Sequence, residues 1–405
     1  MVMWLRQSTA AKVIVGPFVD ETDGFTAETG LTLAAMDDAE LVKHGSASVV
    51  DISGRTFTHI QGGQYALDLS TSDTDTLGRV RIFFRDAGTA RPLAMDFMVV
   101  PGFSRIGYEV RRRMFDWQMP DLAGRSVMVT GATSGLGEAA AIDLARCGAI
   151  VHIVARNPDK AEETRAEIQS AAPGAPVSVH LCDLSLTTDI RRFTDAFLKS
   201  GDRLDVLINN AGVMPAEREY TDEGFELTFA TNLIGPYLLT ELLLPRLREG
   251  DNPRVITMSS GGMYSSGFSF RDPQLAEKDY KPTSFYAHTK RGEVMITDAW
   301  QRREPEGGVT FCSMHPGWAV TPGMSAALPG FHKVTGPILR DSHEGVDTAI
   351  WLAGATPAEA PGGTFYEDRR PRTKQRMPGT AGSSEDGERL LELLAGITSG
   401  SDAEG

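Results

Sequence analysis

The chain has 405 residues, with 54 acidic against 40 basic side chains and a formal net charge of −14. That length predicts one large domain with a smaller companion, and the acidic balance excludes a nucleic-acid partner, which requires clustered Lys and Arg to displace counterions. Cys147, Cys182 and Cys312, unpaired in spacing and read as small buried hydrophobes, fit a reducing compartment and give no metal-ligand signature.

At the N-terminus, Met1 to Gln7 lacks a cationic start followed by an apolar run, and no stretch approaches the roughly 18 apolar residues of a membrane span, so a cytoplasmic protein is expected. Residues 1–101 carry short apolar or alternating runs at Lys12–Val19, Ala47–Ile52, Thr56–His59, Tyr65–Leu69, Val80–Phe84 and Leu93–Val100. Gly, Asp, Thr and Ser clusters separate them, which predicts a small all-β sandwich or barrel. The Asp-rich stretch Leu67–Leu77 lacks an EF-hand ligand pattern and reads as a polar turn. Across residues 102–120, Phe103, Ile106, Val110, Met114 and Trp117 recur at helical spacing beside Arg105 and Arg111 to Arg113. This predicts an amphipathic linker helix, whose packing on its own domain is favoured over an anionic membrane surface.

Residues 121–396 alternate strands and helices. Strands are expected at Ser126–Thr130, Ala149–Ala155, Val177–Leu181, Val206–Asn209, Arg254–Ser259 and Val309–Met314. Helices are expected from Leu136, Asp159 and Thr188, through Asn232, around Tyr286 and at Asp386–Leu394. The alternation predicts an α/β, Rossmann-like, doubly wound parallel sheet covered on both faces. Residues 397–405 read as a disordered acidic tail.

Thr130 to Gly137 reads Thr-Gly-Ala-Thr-Ser-Gly-Leu-Gly at a strand-to-helix junction, where glycine allows the tight turn and close backbone approach that a pyrophosphate at a helix N-terminus needs. About 20 residues on, where an NAD site usually carries an acid, the second strand ends Val-Ala-Arg-Asn. Arg156, followed by Asn157, is placed to meet a 2′-phosphate, so NADP is favoured over NAD, although Asp159 follows shortly after. Downstream, Tyr286 and Lys290 are four apart in a helical pattern and share a face, so both can act on one atom.

The Thr-Gly-x-x-x-Gly-x-Gly form of the turn, the Cys182-Asp183-Leu184 and Asn209-Asn210-Ala211-Gly212 strand ends, and the Tyr-x-x-x-Lys pair together resemble the short-chain dehydrogenase/reductase family. The resemblance implies a cofactor site made by Gly131, Thr133, Ser134, Gly135, Leu136 and Gly137, continued by Asp183 and Leu184 near the adenine and by Asn210, Ala211 and Gly212 along the cofactor. Pro316, Gly317 and Thr321 would meet the carboxamide. It further implies a tetrad. Asn232 would hold a water linking Lys290 to solvent. Ser260, with Ser259 as the alternative, would bond the substrate oxygen. Tyr286 would be the general acid or base, its phenolate favoured by the Lys290 ammonium, which would also hold the nicotinamide ribose.

Four segments narrow the resemblance to the dehydrogenase/reductase SDR family member 12 group: Pro253 to Met263, Ser313 to Gly323, Pro329 to His332 and Phe365 to Pro371. It extends from about residue 103 to the C-terminal helix. Twenty-six positions separate Ser260 from Tyr286, roughly twice the spacing of bacterial ketoacyl-reductase relatives and like that of retinol-dehydrogenase relatives. Met263, Tyr264, Phe268 and Phe270 in that segment either line a lipophilic pocket or pin a surface loop.

Residues 1–101 stand outside the resemblance; their strand rhythm is similar to small β domains of phage structural proteins, as a gene fusion or a misplaced start would give. The expected activity is an NADP-preferring carbonyl reductase or alcohol dehydrogenase acting on a lipophilic small molecule, with homo-oligomers allowed. The alternative is a catalytically silent NAD(P)-binding scaffold or redox sensor with an N-terminal adhesion module.

Overall fold

The computed structural model describes eight strands within residues 3–100, and residues 117–399 apart from 277, 307, 318–339, 376–378 and 381. The expected linker helix before Trp117, Thr321, the Pro329–His332 motif and residues 400–405 lie outside the described residues. The chain divides into two units, Met1–Trp117 and Gln118–Gly405.

In the first unit, β1 (Met3–Arg6), β8 (Ala90–Val100), β7 (Gly78–Asp86), β3 (Asp38–Val42) and β4 (Val49–Asp51) follow one another across a five-stranded sheet. A second sheet holds β2 (Ala11–Val15), β6 (Gln64–Leu69) and β5 (Phe57–Gln61). Strand β1 pairs with β8 in parallel, and the other pairings are antiparallel.

The second unit is built on eight strands: β9 (Ser126–Thr130), β10 (Ile150–Ala155), β11 (Val177–Leu181), β12 (Val206–Asn209), β13 (Arg254–Met258), β14 (Thr310–Met314), β15 (Thr364–Glu367) and β16 (Arg370–Arg372). Their order is β11-β10-β9-β12-β13-β14-β15-β16, parallel throughout except for the final β15–β16 pair. Strand order reverses between β9 and β12, which opens a crevice at the strand C-terminal ends.

Period-two alternation sends Val127 and Val129 to one face of the sheet and Met128 to the other. On the first face lie α1 (Gly135–Arg146), α2 (Pro158–Ala171) and α6 (Ser342–Gly354); on the second lie α3 (Thr187–Ser200), α4 (Leu227–Leu247), α5 (Pro282–Arg303) and α7 (Ser384–Ser399). Local chemistry sets several ends. Asn157 caps α2 by accepting from the Lys160 N–H at 2.9 Å, Pro158 sits at its first position, and Gly201 closes α3 in the left-handed region at φ 79°.

Four sequence expectations change. Strands β15 and β16 and helix α6 carry no expected element, although Asp341 and Glu344 form a complete capping box before α6. Helix α7 runs through Ile397 to Ser399, where the acidic tail is expected, and the buried Thr398 hydroxyl donates to the Leu394 carbonyl at 2.9 Å. Cys147 is half-buried, whereas Cys182 and Cys312 are buried. Finally, α4 is long and apolar enough to cross a membrane, but 78% of its apolar window is buried inside the protein. It is a core helix, apolar because most of it is packed inside the protein.

Candidate active site

A cavity of about 670 Å³ opens at the C-terminal ends of the central strands. Every site residue expected from the sequence lines it except Asn232, which stands beside it, and Thr321, which lies outside the described residues.

The glycine turn after β9 forms one wall. Gly131 and Gly135 adopt left-handed φ values of 64° and 56°, which favour glycine. At Gly137 a Cβ would stand 2.2 Å from the Gly131 carbonyl oxygen, so only glycine lets α1 start this close to the turn. Ser134 at the N-cap makes no side-chain bond to the first turn, which leaves those N–H groups for an anion in the cavity. Thr130 joins the turn to β12: its hydroxyl oxygen accepts from the N–H groups of Asn210 and Ala211, both at 3.0 Å. Asn210 Nδ2 in turn donates to the Thr130 carbonyl at 2.7 Å.

Arg156 and Asn157, at the end of β10, line the outer part of the cavity together with Lys160 from the first turn of α2. Lys160 escapes a sequence reading because a lysine in a first helical turn looks like ordinary solvated surface. Asp159 does not line the cavity; among the described residues Asp183 is the single acid that does, and it accepts from the Ser185 N–H at 2.9 Å and hydroxyl at 2.7 Å.

Helix α4 contains a π-turn, Ala230–Ile234, in which the Gly235 N–H donates to the Ala230 carbonyl, five residues back. Pro236 has no N–H, so the Asn232 carbonyl lacks its α-helical partner. The Asn232 side chain is committed to structure. Its Oδ1 accepts from the Val213 N–H at 2.8 Å, and its Nδ2 donates to the Val213 carbonyl at 3.0 Å and to Thr289 Oγ1 at 3.2 Å. These bonds fix the Asn210–Val213 strand end. A Cβ at Gly212 would stand 3.5 Å from both Asn232 Oδ1 and Lys290 Nζ.

The two serines after β13 have different surroundings. Ser259 donates its hydroxyl to the Lys290 carbonyl at 2.8 Å and so anchors α5. Ser260 caps the 3₁₀ turn Gly261–Ser265, accepting from the Gly262 N–H at 3.1 Å, and its side chain also hydrogen-bonds Tyr286. Lys290 Nζ lies 5.5 Å from the Tyr286 ring centre and donates to the Met258 carbonyl at 2.9 Å and to Glu293 Oε1 at 2.7 Å.

Burial lifts the Tyr286 phenol above its ordinary value; the Lys290 charge and the Ser260 bond pull it down, and Glu293 adds to the lift. The expectation that Lys290 lowers the phenol holds for its own contribution, but the balance runs upward because desolvation is larger. Lys290 is raised: burial works against its charge, while Glu293 and Tyr286 favour it.

Met263, Tyr264, Phe268 and Phe270 pin the loop, and none of them lines the cavity. Met263 is buried against Val294 and Phe365, and the Tyr264 hydroxyl donates to the Thr373 carbonyl at 2.7 Å. Phe268 stacks on His288 with ring centres 4.4 Å apart, and the Arg389 guanidinium sits 4.4 Å from the centre of the Phe270 ring. Gly262, Ser265 and Thr283 line the cavity instead. Beyond β14, Gly317 at φ 75° packs so closely on Arg340 that a Cβ would meet its guanidinium at 2.6 Å. Arg340 is held by a buried ion pair to Asp368 at 2.8 Å.

Comparison with known proteins places this architecture. The family described as short chain dehydrogenase matches over residues 125–329. Dehydrogenase/reductase SDR family member 12 of Bos taurus is 41% identical over 299 residues, 72% of this chain and 92% of that protein. Retinol dehydrogenase 12 of Bos taurus is 36% identical over 249 residues, 61% of this chain and 78% of that protein. Among solved structures, an uncharacterised protein from Mycobacterium paratuberculosis superposes with a TM-score of 0.56 at 29% identity, covering 72% of this chain and 97% of its own. A short chain dehydrogenase from Shigella flexneri complexed with NADP superposes with a TM-score of 0.51 at 20% identity, over 62% of this chain and all of its own, a likeness of fold alone.

Proposed function

The chain belongs to the short-chain dehydrogenase family of oxidoreductases, and from that premise we propose that it is an NADP-preferring carbonyl reductase or alcohol dehydrogenase acting on a lipophilic small molecule. The observation that carries this reading is the convergence of Ser260, Tyr286 and Lys290 on the cavity that the glycine turn opens.

The residues present fit a dinucleotide. The turn at Gly131, Gly135 and Gly137, with Thr133, Ser134 and Leu136, leaves a backbone cradle that a side chain at Gly137 would close. Asp183 and Leu184 would hold the adenine end, Asn210 to Gly212 the middle, and Pro316 and Gly317, with Thr321, the carboxamide. Arg156, Asn157 and Lys160 supply two cations and an amide where a 2′-phosphate would lie, and no uncommitted acid among the described residues lines that end. The NADP bound to the Shigella protein accords with this reading.

When bound, the nicotinamide would supply or accept the hydride. The remaining chemistry belongs to the chain. Ser260 donates to the substrate oxygen, and Tyr286 exchanges a proton with it. A phenol is protonated at neutral pH and burial raises that of Tyr286 further, so Tyr286 stands ready as the general acid of carbonyl reduction. Lys290 has three donors, two of which are held by Met258 and Glu293, so the third is left for the nicotinamide ribose or a water. The Asn232 carbonyl, freed of its α-helical partner by Pro236, is the acceptor for that water.

The retinol dehydrogenase relatives support a lipophilic substrate. We assign residues 1–101 to a separate all-β domain and the protein to the cytoplasm. Tyr286→Phe is expected to lose about 10²- to 10⁴-fold in turnover while still binding NADPH. The assay is a carbonyl and alcohol panel followed by nicotinamide absorbance. Unchanged turnover would overturn the mechanism, and tight NADPH binding with no turnover by the wild-type chain would replace it with a silent scaffold.

A further inference from the structure

Glu293 lies three residues beyond Lys290 on α5, and both side chains are only 2% exposed. One carboxylate oxygen accepts from Lys290 Nζ at 2.7 Å, and the other has no hydrogen-bond partner among the described residues. Burying an ion pair costs several kcal/mol per ion before the attraction offsets it, and an orphaned carboxylate oxygen adds to that cost. Among the described residues, the groups that other elements present to this part of α5 are uncharged: the Met258 carbonyl and Thr257 hydroxyl of β13, Asn232 and Leu233 of α4 and Met263 of the 3₁₀ turn. On α5 itself the buried Arg291 guanidinium is held by the Met263 and Lys374 carbonyls. The ionisable partner of Glu293 is Lys290, and Tyr286 feels both charges with opposite sign.

We propose that Glu293 is a positioning residue for the proton transfer: its buried carboxylate holds the Lys290 ammonium in place and partly cancels the positive charge that Lys290 presents to the Tyr286 hydroxyl. This rests on the reaction assigned above to Tyr286. Burial raises the Glu293 carboxyl to about 7, against the pull of Lys290. Below that pH Glu293 is neutral and Lys290 acts on Tyr286 alone. Above it the carboxylate is charged, and Tyr286 holds its proton more tightly. One glutamate therefore keeps Tyr286 in its protonated form, the form that carbonyl reduction requires, to higher pH, and makes the phenolate that alcohol oxidation requires harder to reach.

Glu293→Gln tests this, because glutamine keeps an oxygen for Lys290 Nζ and removes the charge. The readout is ultraviolet difference titration of the tyrosinate, with Tyr286→Phe as the blank. Loss of a neighbouring negative charge favours the phenolate, so Tyr286 should ionise about one pH unit lower in E293Q than in the wild-type chain. The rising limb of alcohol oxidation against pH should move down with it. An unmoved titration in E293Q that still binds NADPH would overturn the role. If E293Q does not fold, Glu293→Asp decides, because it keeps the charge and draws it back from Lys290 Nζ: a Tyr286 titration moved below that of the wild-type chain supports the proposal, and an unmoved one overturns it. The titration needs no substrate, so wild-type chain inactive on the whole panel would overturn the assigned reaction and leave the electrostatic result readable.

Discussion

Arg156 and Lys160 reach the same end of the cavity from different elements, one at the close of β10 and one in the first turn of α2. Two cations there distinguish a phosphate from a hydroxyl more sharply than either alone. Arg156→Ala and Lys160→Ala are each expected to weaken NADPH binding about tenfold or more, the loss of one charge-assisted bond, and to leave NADH unchanged. Calorimetric titration of both cofactors checks this, and equal losses for the two would refute the assignment. Arg156 was legible in the sequence because it occupies the strand end where an acid usually stands, whereas Lys160 depends on the helix register that brings its first turn to the same opening. Glu293 was illegible for another reason. A Lys and a Glu three apart on a helix read as a solvated surface pair, and only packing shows that this pair is buried. The choice between Ser259 and Ser260 also needed coordinates, since adjacent residues on an extended segment point to opposite sides.

At the scale of elements, α4 places its part of the site through an irregularity. The π-turn and Pro236 together release a carbonyl, and the Gly235 next to them lets the helix touch the end of β11, where a Cβ would fall 2.4 Å from the Leu184 carbonyl oxygen. Gly235→Ala should push the helix off that loop, destabilising the protein by about 1–3 kcal/mol and weakening cofactor binding through Leu184. Thermal denaturation with and without NADPH measures both, and a variant unchanged in each would show that the loop yields freely. The alternating elements from β9 to β14 were legible because buried parallel strands leave unbroken apolar runs between helical patterns. Strand β15 and its short partner β16 were not: four and three residues show no period by themselves, and no Asn-Ala-Gly strand end marks them as it marks the equally short β12. The segment before Tyr286 shows why aromatic content alone does not identify a pocket: Tyr264, Phe268 and Phe270 pack on other parts of the protein, and Gly262, Ser265 and Thr283 line the cavity.

At the scale of the molecule, the second unit contains the whole described site and its own apolar clusters, among them a large one on each face of the sheet. A chain beginning at Gln118 should therefore fold cooperatively and bind NADPH as the full chain does, which denaturation and calorimetry would establish; failure to bind would assign the first unit a part in the site. The sheet of that unit ends in β16, three residues with arginine at both ends, turned antiparallel to the seven strands before it. Exposed backbone at the rim of a sheet invites another chain to add a strand, and a short charged hairpin is a poor template for such growth. The arginines of β16 disfavour strand addition on that flank, so a lesion there is expected to appear as aggregation before it appears as lost catalysis.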